Sequence, residues 1–324
     1  MTETALDRVD PSRVRVGVSS CLLGEPVRYN GGHKRDRYVT DVLARHFEFV
    51  PFCPEVAIGL GVPRPPIHLR GDPADPRVVG VSDPSLDVTE ALDAYGRRIG
   101  AAIDGLSGYL FKKDSPSCGV WRVRVHPAHG NGSPARSGTG RYAAAIRARQ
   151  PLMPVEEEGR LNDPGLRDQF VLRVLVYHRW QCLRAAGPAA RDLVAFHTEH
   201  KYLLLAHDPG RYRALGRLVA DAGRRDPATL LAEYGRELMS AIEKPAGRRA
   251  HYNALQHAAG HLRAQLDADD RAELHDAIDR YGAGDAPLLE PLTLLRHHRR
   301  RHGSDWLVRQ RYLDAGPAVE RGPR

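Results

Sequence analysis

The sequence predicts an α/β fold, an open and mostly parallel sheet of Rossmann-like type, followed by an all-α domain. Three observations carry this expectation. Short apolar runs at 14–20, 47–52 and 108–111 alternate with helix-periodic segments, as βαβ units do. A cysteine stands just past the end of each run or in the loop after it: Cys21, Cys53 and Cys118. Strand signals then vanish beyond residue 190, leaving only helical patterns. In an open α/β sheet the carboxyl ends of parallel strands share one edge, where ligands bind, so these three cysteines are expected to converge.

Taken in order, Val14 to Ser20 is the first strand, and Cys21 to Gly32 has a turn composition. Asp36 to Phe47 carries Tyr38, Val39, Val42, Leu43 and Phe47 at helical spacing and leads into the second strand. Cys53-Pro54-Glu55 opens a long loop whose prolines at 63, 65, 66, 73 and 76 are expected to exclude helix and central strand. A loop that long beside a strand end is usually functional. A helix from about Leu86 to Gly105 aligns Val88, Leu92, Tyr95, Ile99 and Ile103 before the strand at Gly108. After it come a short strand Val120–Val125, a Gly/Pro/Ser surface loop His126–Gly140 expected to be mobile, a helix Tyr142–Arg149 and a short strand Pro151–Val155.

A long helix from Asp163 to Ala186 closes a first domain over 13–186, and Ala185-Ala186-Gly187-Pro188-Ala189-Ala190 is the expected linker. Helical patterns near 191–207, 209–222, 227–243, 248–266, 268–282 and 289–312 make a second domain over 191–316. At 324 residues the chain is long enough for two cores. No run of about 18 apolar residues exists, and Met1 to Asp7 lacks the order of a signal peptide, so a cytoplasmic protein without a membrane span is expected. Residues 1–12 are polar and expected to fray. A formal charge of +8 favours a polyanionic partner, although an arginine-rich composition also follows from a GC-rich genome.

Only 4 cysteines occur, too few and too scattered for a disulfide framework. Paired Cys-x-x-Cys knuckles of a zinc ribbon are missing. Cys21, Cys53 and Cys118 read as ligands of one metal centre, and soft thiolates suit iron–sulfur clusters. A [4Fe–4S] cluster held by three cysteines leaves one iron open as a Lewis acid. The competing view is that each cysteine is a small buried hydrophobe, which is the expected role of Cys182 between Trp180 and Leu183. Glu55 is the best acid/base candidate, because desolvation beside such a centre would raise its pKa; its alternative is pairing with Arg64 or Arg70 or capping a helix. Ser115 and Ser117 are turn formers by type, with hydroxyls able to polarise a substrate atom.

Ser19-Ser20-Cys21-Leu22-Leu23-Gly24, Val27-Arg28-Tyr29-Asn30-Gly31, Cys53-Pro54-Glu55, Phe111-Lys112-Lys113-Asp114-Ser115-Pro116-Ser117-Cys118-Gly119 and Glu157-Glu158-Gly159-Arg160-Leu161 together resemble the bacterial thiouracil desulfidase family, over roughly residues 13–185. The resemblance implies that Cys21, Cys53 and Cys118 hold a [4Fe–4S] cluster with an open iron, that Glu55 and Ser115 are catalytic, and that a thiocarbonyl sulfur of a pyrimidine is replaced by oxygen without net electron transfer. Phe196 to His207, Asn253 to His257 and Pro287 to Leu295 resemble a helical module fused behind such domains. That fusion implies desulfuration of 4-thiouridine in tRNA, with the module holding RNA. A desulfidase of free thiouracil with a regulatory or dimerising helical domain, and an iron–sulfur nucleic-acid sensor that is not an enzyme, are the other candidates.

Independently of any family, Arg296-His297-His298-Arg299-Arg300-Arg301-His302, followed by Trp306, Arg309 and Arg311, is a dense cationic stretch suited to phosphate. Arg296, Arg299, Arg300, Arg301 and Arg309 are the candidate RNA contacts, with a solvated helix end as the alternative. His197 with His200, or His257 with His261, has helix-face spacing for zinc but no accompanying carboxylate or cysteine motif.

Overall fold

The computed structural model describes residues 14–129, 132–303 and 305–314. The first unit runs β1 (Arg15–Ser19), β2 (Glu48–Phe52), α1 (Pro54–Ala57), β3 (Ile67–Arg70), β4 (Arg77–Gly80), α2 (Thr89–Ala102), β5 (Gly108–Phe111), β6 (Val123–His126), β7 (Ala135–Gly138), α3 (Arg141–Arg149), β8 (Val155–Glu157) and α4 (Pro164–Ala185). The chain divides into two compact units between His178 and Arg179, inside α4.

Four strands form an all-parallel sheet in the order β2-β1-β5-β8. Their buried runs, Val16, Val18 and the whole of Gly108–Phe111, are what a sheet covered on both faces demands. The register pairs Ser19 with Phe52, Val18 with Leu110 and Phe111 with Glu157, so all four strands finish at one level. The chain goes from β1 to β2 on one side and then to β5 on the other. The order therefore reverses at β1, which opens a crevice beyond the strand ends.

A second sheet, β4-β3-β6-β7, was not expected. β3 pairs antiparallel with β4 and parallel with β6, so the presumed proline loop contains a central strand and its neighbour. The prolines permit this because Pro65 and Pro66 precede β3 while Pro73 and Pro76 fall in the turn before β4. Leu69, Val78, Val123 and Val125 bury with Leu92 of α2 in one cluster. The segment His126–Gly140 is likewise not all loop. It contains β7, a polar edge strand antiparallel to β6; residues 130 and 131 lie outside the described residues.

Two further expectations are corrected. Asp36–Phe47 is a π-turn (Tyr38–Val42) followed by a 3-10 turn (Leu43–Arg45), and Leu43 N–H reaches back to the Tyr38 and Val39 carbonyls. The apolar spacing found the buried face, Val39 and Leu43, but Thr40 Oγ1 bonds to the Asp36 carbonyl and Asp36 Oδ1 accepts from Val39 N–H. Such local bonds compete with a regular helix. The strand expected at Pro151–Val155 lies at Val155–Glu157, where the buried side chains are the carboxylates of Glu156 and Glu157.

The second unit is all-helical after α4, as expected: α5 (Ala190–Glu199), α6 (Lys201–His207), α7 (Pro209–Ala220), α8 (Pro227–Ala241), α9 (Arg248–Gly260), α10 (Ala268–Ala283), α11 (Leu289–His302), α12 (Asp305–Val308) and α13 (Arg311–Asp314). Asp208-Pro209 and Asp226-Pro227 start α7 and α8, the aspartate capping and the proline at the first helical position. Trp180, Phe196 and Tyr234 form its aromatic centre. Among the described residues no helix is long and apolar enough to cross a membrane. Residues 1–12, expected to fray, lie outside the described residues.

Candidate active site

Beyond the carboxyl ends of the parallel sheet lies a cavity of about 370 Å³ lined by Cys21, Cys53 and Cys118 together with Glu55, Ser115 and Ser117. The sheet does the converging. Cys21 sits in a 3-10 turn after β1, Cys53 directly precedes α1 after β2, and Cys118 ends the loop after β5. Cys182 is half-buried on α4 and is not among the lining residues.

Burial pushes the Cys21 thiol up to about 11 and also raises Cys53 and Cys118. Charge on Cys21 and on Cys53 would raise Cys118 further, so the three sulfurs sense one another. Lys112 works in the opposite direction on Cys21, and the Val56 and Glu55 amides work against the rise at Cys53. Three thiols in electrostatic contact, with an ammonium and amides that favour the thiolate, are a donor set suited to a soft metal centre. Metal binding at these sulfurs must displace protons.

The loop that carries Cys118 is tightly built. Asp114 has a positive φ of 58°, uncommon for a side-chain-bearing residue. Ser115 Oγ accepts from Ser117 N–H at 3.3 Å and from Cys118 N–H at 3.1 Å. A Cβ on Gly119 would stand 2.4 Å from Val123 Cγ2, and one on Gly140 2.5 Å from the Ser117 carbonyl, so these two backbones approach as only glycine allows. The buried Glu157 carboxylate accepts from Val120 N–H at 2.7 Å and Trp121 N–H at 3.2 Å, while Glu158 takes Lys113 N–H at 2.7 Å and the Lys112 ammonium. The end of β8 and the 3-10 turn that follows it thus hold the loop together.

Glu55 lies in α1, two residues beyond Cys53. Arg64 Nε and Nη2 both reach its Oε2, at 2.9 and 2.6 Å, with the two side chains 3% and 13% exposed. Arg64 Nη1 meanwhile donates to the Val27 and Gly61 carbonyls. Ser117 Oγ donates to Glu55 Oε1 at 2.6 Å. With that hydrogen committed, the 2.9 Å contact between Ser115 and Ser117 hydroxyls makes Ser115 the donor. The result is a directed chain from Ser115 through Ser117 to Glu55, fixed at its far end by Arg64.

Sequence reasoning reached Cys21, Cys53, Cys118, Glu55 and Ser115, and the structure brings all five to one cavity. It named the Arg64 pairing only as a competitor to function and left Ser117 without a partner. Ser19, whose hydroxyl works against the rise of the Cys118 thiol and accepts from Lys112 N–H at 3.0 Å, was visible only as part of the Ser-Ser-Cys motif. In the helical unit Arg300, Arg301 and Arg309 are exposed. Arg296 and Arg299 instead turn inward: Arg296 Nε donates to the Leu313 carbonyl at 2.5 Å, and Arg299 Nη1 meets Asp314 at 2.9 Å. His197 bonds to Tyr234 and His200 to the Phe196 carbonyl, whereas His261 packs on Trp306.

Comparison with known proteins adds an independent observation. Residues 16–158 match the family described as 2-thiouracil desulfurase, and residues 201–317 match a family described as a protein of unknown function, DUF1722. The chain is 31% identical over 153 residues to the uncharacterized protein YbgA of Escherichia coli K12, covering 47% of this chain and 90% of that protein. It is 30% identical over 157 residues to the uncharacterized protein YbbK of Bacillus subtilis 168, covering 45% and 97%. A solved structure described as the [4Fe-4S]-dependent thiouracil desulfidase TudS is 34% identical, covering 46% of this chain and 93% of that one, with a TM-score of 0.37.

Proposed function

This chain belongs to the 2-thiouracil desulfurase family, and on that premise we propose that it is an iron–sulfur-dependent desulfidase that exchanges the thiocarbonyl sulfur of thiolated uridine, 4-thiouridine, in tRNA for oxygen. The observation that carries this proposal is the placement of an oriented carboxylate, Glu55, in the same cavity as three buried thiols. Cys21, Cys53 and Cys118 would hold a [4Fe–4S] cluster of the kind named for TudS. When bound, a cluster with one iron lacking a protein ligand supplies a soft Lewis acid for sulfur.

The chain's own residues do the rest. Glu55 accepts a proton from the water that adds to the thiocarbonyl carbon, and the C–S bond then breaks so that C=S and water become C=O and hydrogen sulfide. No electrons are exchanged. Arg64 and Ser117 hold the carboxylate in a single plane, which keeps its one remaining lone pair, on Oε1, directed for proton transfer. Ser115 orients the base. Its hydroxyl hydrogen is engaged by Ser117, so bonding to substrate requires that pair to reorganise.

A cavity of about 370 Å³ suits a single base or nucleoside, and tRNA would present that base out of its stack. The exposed Arg300, Arg301 and Arg309 and the net charge of +8 support a polyanionic substrate. A second reading, turnover of free thiouracil, is favoured by the substrate named in the family description. Anaerobic reconstitution with iron and sulfide, followed by parallel assays on 4-thiouridine-containing tRNA and on free thiouracil, separates the two. Preferential turnover of tRNA supports the first, and equal or better turnover of the free base supports the second.

A further inference from the structure

We infer that Asp270, His298 and His302 form a binding site for a transition-metal ion of the zinc class, joining α10 to α11 in the helical unit. One ligand atom from each residue lies within 4.8 Å of the other two. His298 and His302 stand one turn apart on α11 with their rings stacked, and Asp270 sits on the first turn of α10 with a carboxylate oxygen 3.9 Å from His298 Nδ1.

His298 supplies the second, independent observation. Its side chain is 3% exposed, and neither ring nitrogen has a hydrogen-bond partner. Burying an imidazole with both nitrogens unsatisfied is costly, and the great majority of buried polar side chains avoid it. A bound cation would satisfy one of these nitrogens directly. Around a tetrahedral ion with bonds of about 2.0 to 2.1 Å the donors stand roughly 3.3 Å apart. The partly exposed side chains of Asp270 and His302 can close that remaining distance by rotation.

The donor set selects the ion class. Two imidazoles and one carboxylate suit zinc and its first-row neighbours, whereas calcium and magnesium require mostly oxygen donors. Three protein ligands leave a fourth position for water or an external donor. Arg299, which would otherwise add positive charge nearby, is turned to Asp314 at 2.9 Å. The site belongs wholly to the helical unit and uses none of the desulfidase residues, so it stands or falls apart from the proposed reaction.

Cobalt(II) is the discriminating probe for the full chain, because thiolate ligation adds a near-ultraviolet charge-transfer band that imidazole and carboxylate ligation lacks. Equilibrium dialysis and visible spectra should show one cobalt ion per chain with d–d bands and without the thiolate band, and zinc should displace it. Asp270→Asn and His302→Ala alter partly exposed side chains, and circular dichroism checks that each variant is folded. Each should weaken this binding tenfold or more while leaving iron loading at the cysteines unchanged. Absence of such a cobalt species, or identical affinity in the wild type and both folded variants, overturns the site.

Discussion

Ser117 donates to Oε1 of Glu55 at 2.6 Å across 62 positions of sequence, and Arg64 holds the other oxygen of the same carboxylate. The carboxylate cannot turn without breaking a bond to one of them. Because Ser117 is only 1% exposed and adjacent to Cys118, this contact ties Glu55 to the thiol loop. Ser117→Ala should therefore keep the iron content of the reconstituted protein and lower turnover by ~10 to 100-fold, the usual cost of losing a residue that orients a functional group. Iron analysis with a sulfide-release assay measures both, and unchanged turnover would remove Ser117 from the site.

Arg64→Met should destabilise the first unit. Removing one partner of a buried ion pair leaves the other charge uncompensated, at a cost of about 3 to 5 kcal/mol. Arg64 also loses its bonds to the Val27 and Gly61 carbonyls, which hold the loop over the cavity. Calorimetry should show a melting temperature lower by several degrees or more. Arg64→Lys, which keeps the charge but not the fork, should fall between wild type and Arg64→Met.

Acid should weaken the helical unit earlier than its carboxylates alone would. Burial lowers His197 and His251 to about 4 and His200 to about 3. The unfolded chain takes up protons near pH 6.5, so below that pH it binds more protons than the folded one. The stability these neutral imidazoles contribute is full above about 6.5 and is lost as pH falls toward 4, at roughly 1.4 kcal/mol per pH unit for each histidine. Urea unfolding followed by circular dichroism at pH 7 and 5.5 should show a lower midpoint at 5.5. Equal midpoints would argue against all three histidines being buried neutral.

Arginines of the cationic stretch should separate by role. Replacing exposed Arg300, Arg301 and Arg309 with Gln should weaken tRNA binding and flatten the salt dependence by ~2 to 3 in slope, one phosphate contact each, while turnover of free thiouracil holds. Replacing Arg296 or Arg299 should instead lower stability, since they anchor Leu313 and Asp314. Loss of activity on both substrates from the triple variant would place the damage in folding.

The parallel sheet and its cysteine edge were legible because apolar runs reveal buried strands and a cysteine after each one marks the same end. β3, β4 and β7 were not, since prolines and polar residues crowd the connections between them and hide short strands. β8 escaped in register because its buried side chains are Glu156 and Glu157: Glu157 accepts from backbone amides of the loop after Cys118, and Glu156 accepts from the Glu157 amide and from Arg160. Glu55 was singled out beside its neighbour Cys53, and both line one cavity. The groups that orient Glu55, Arg64 and Ser117, depend on loop packing that no local pattern records, and the same is true of the inward turn of Arg296 and Arg299.

In the proposed reaction Glu55 performs proton transfer beside a cluster held by Cys21, Cys53 and Cys118. The most direct measurement is sulfide release from a thiolated substrate by anaerobically reconstituted wild type and Glu55→Gln, with iron counted in both samples. The amide keeps the shape of the side chain but cannot take the proton. Iron content should be equal in the two proteins, and the rate should be lower by about 10² to 10⁴ in Glu55→Gln. A fully loaded Glu55→Gln protein that releases sulfide at the wild-type rate would contradict this role for Glu55.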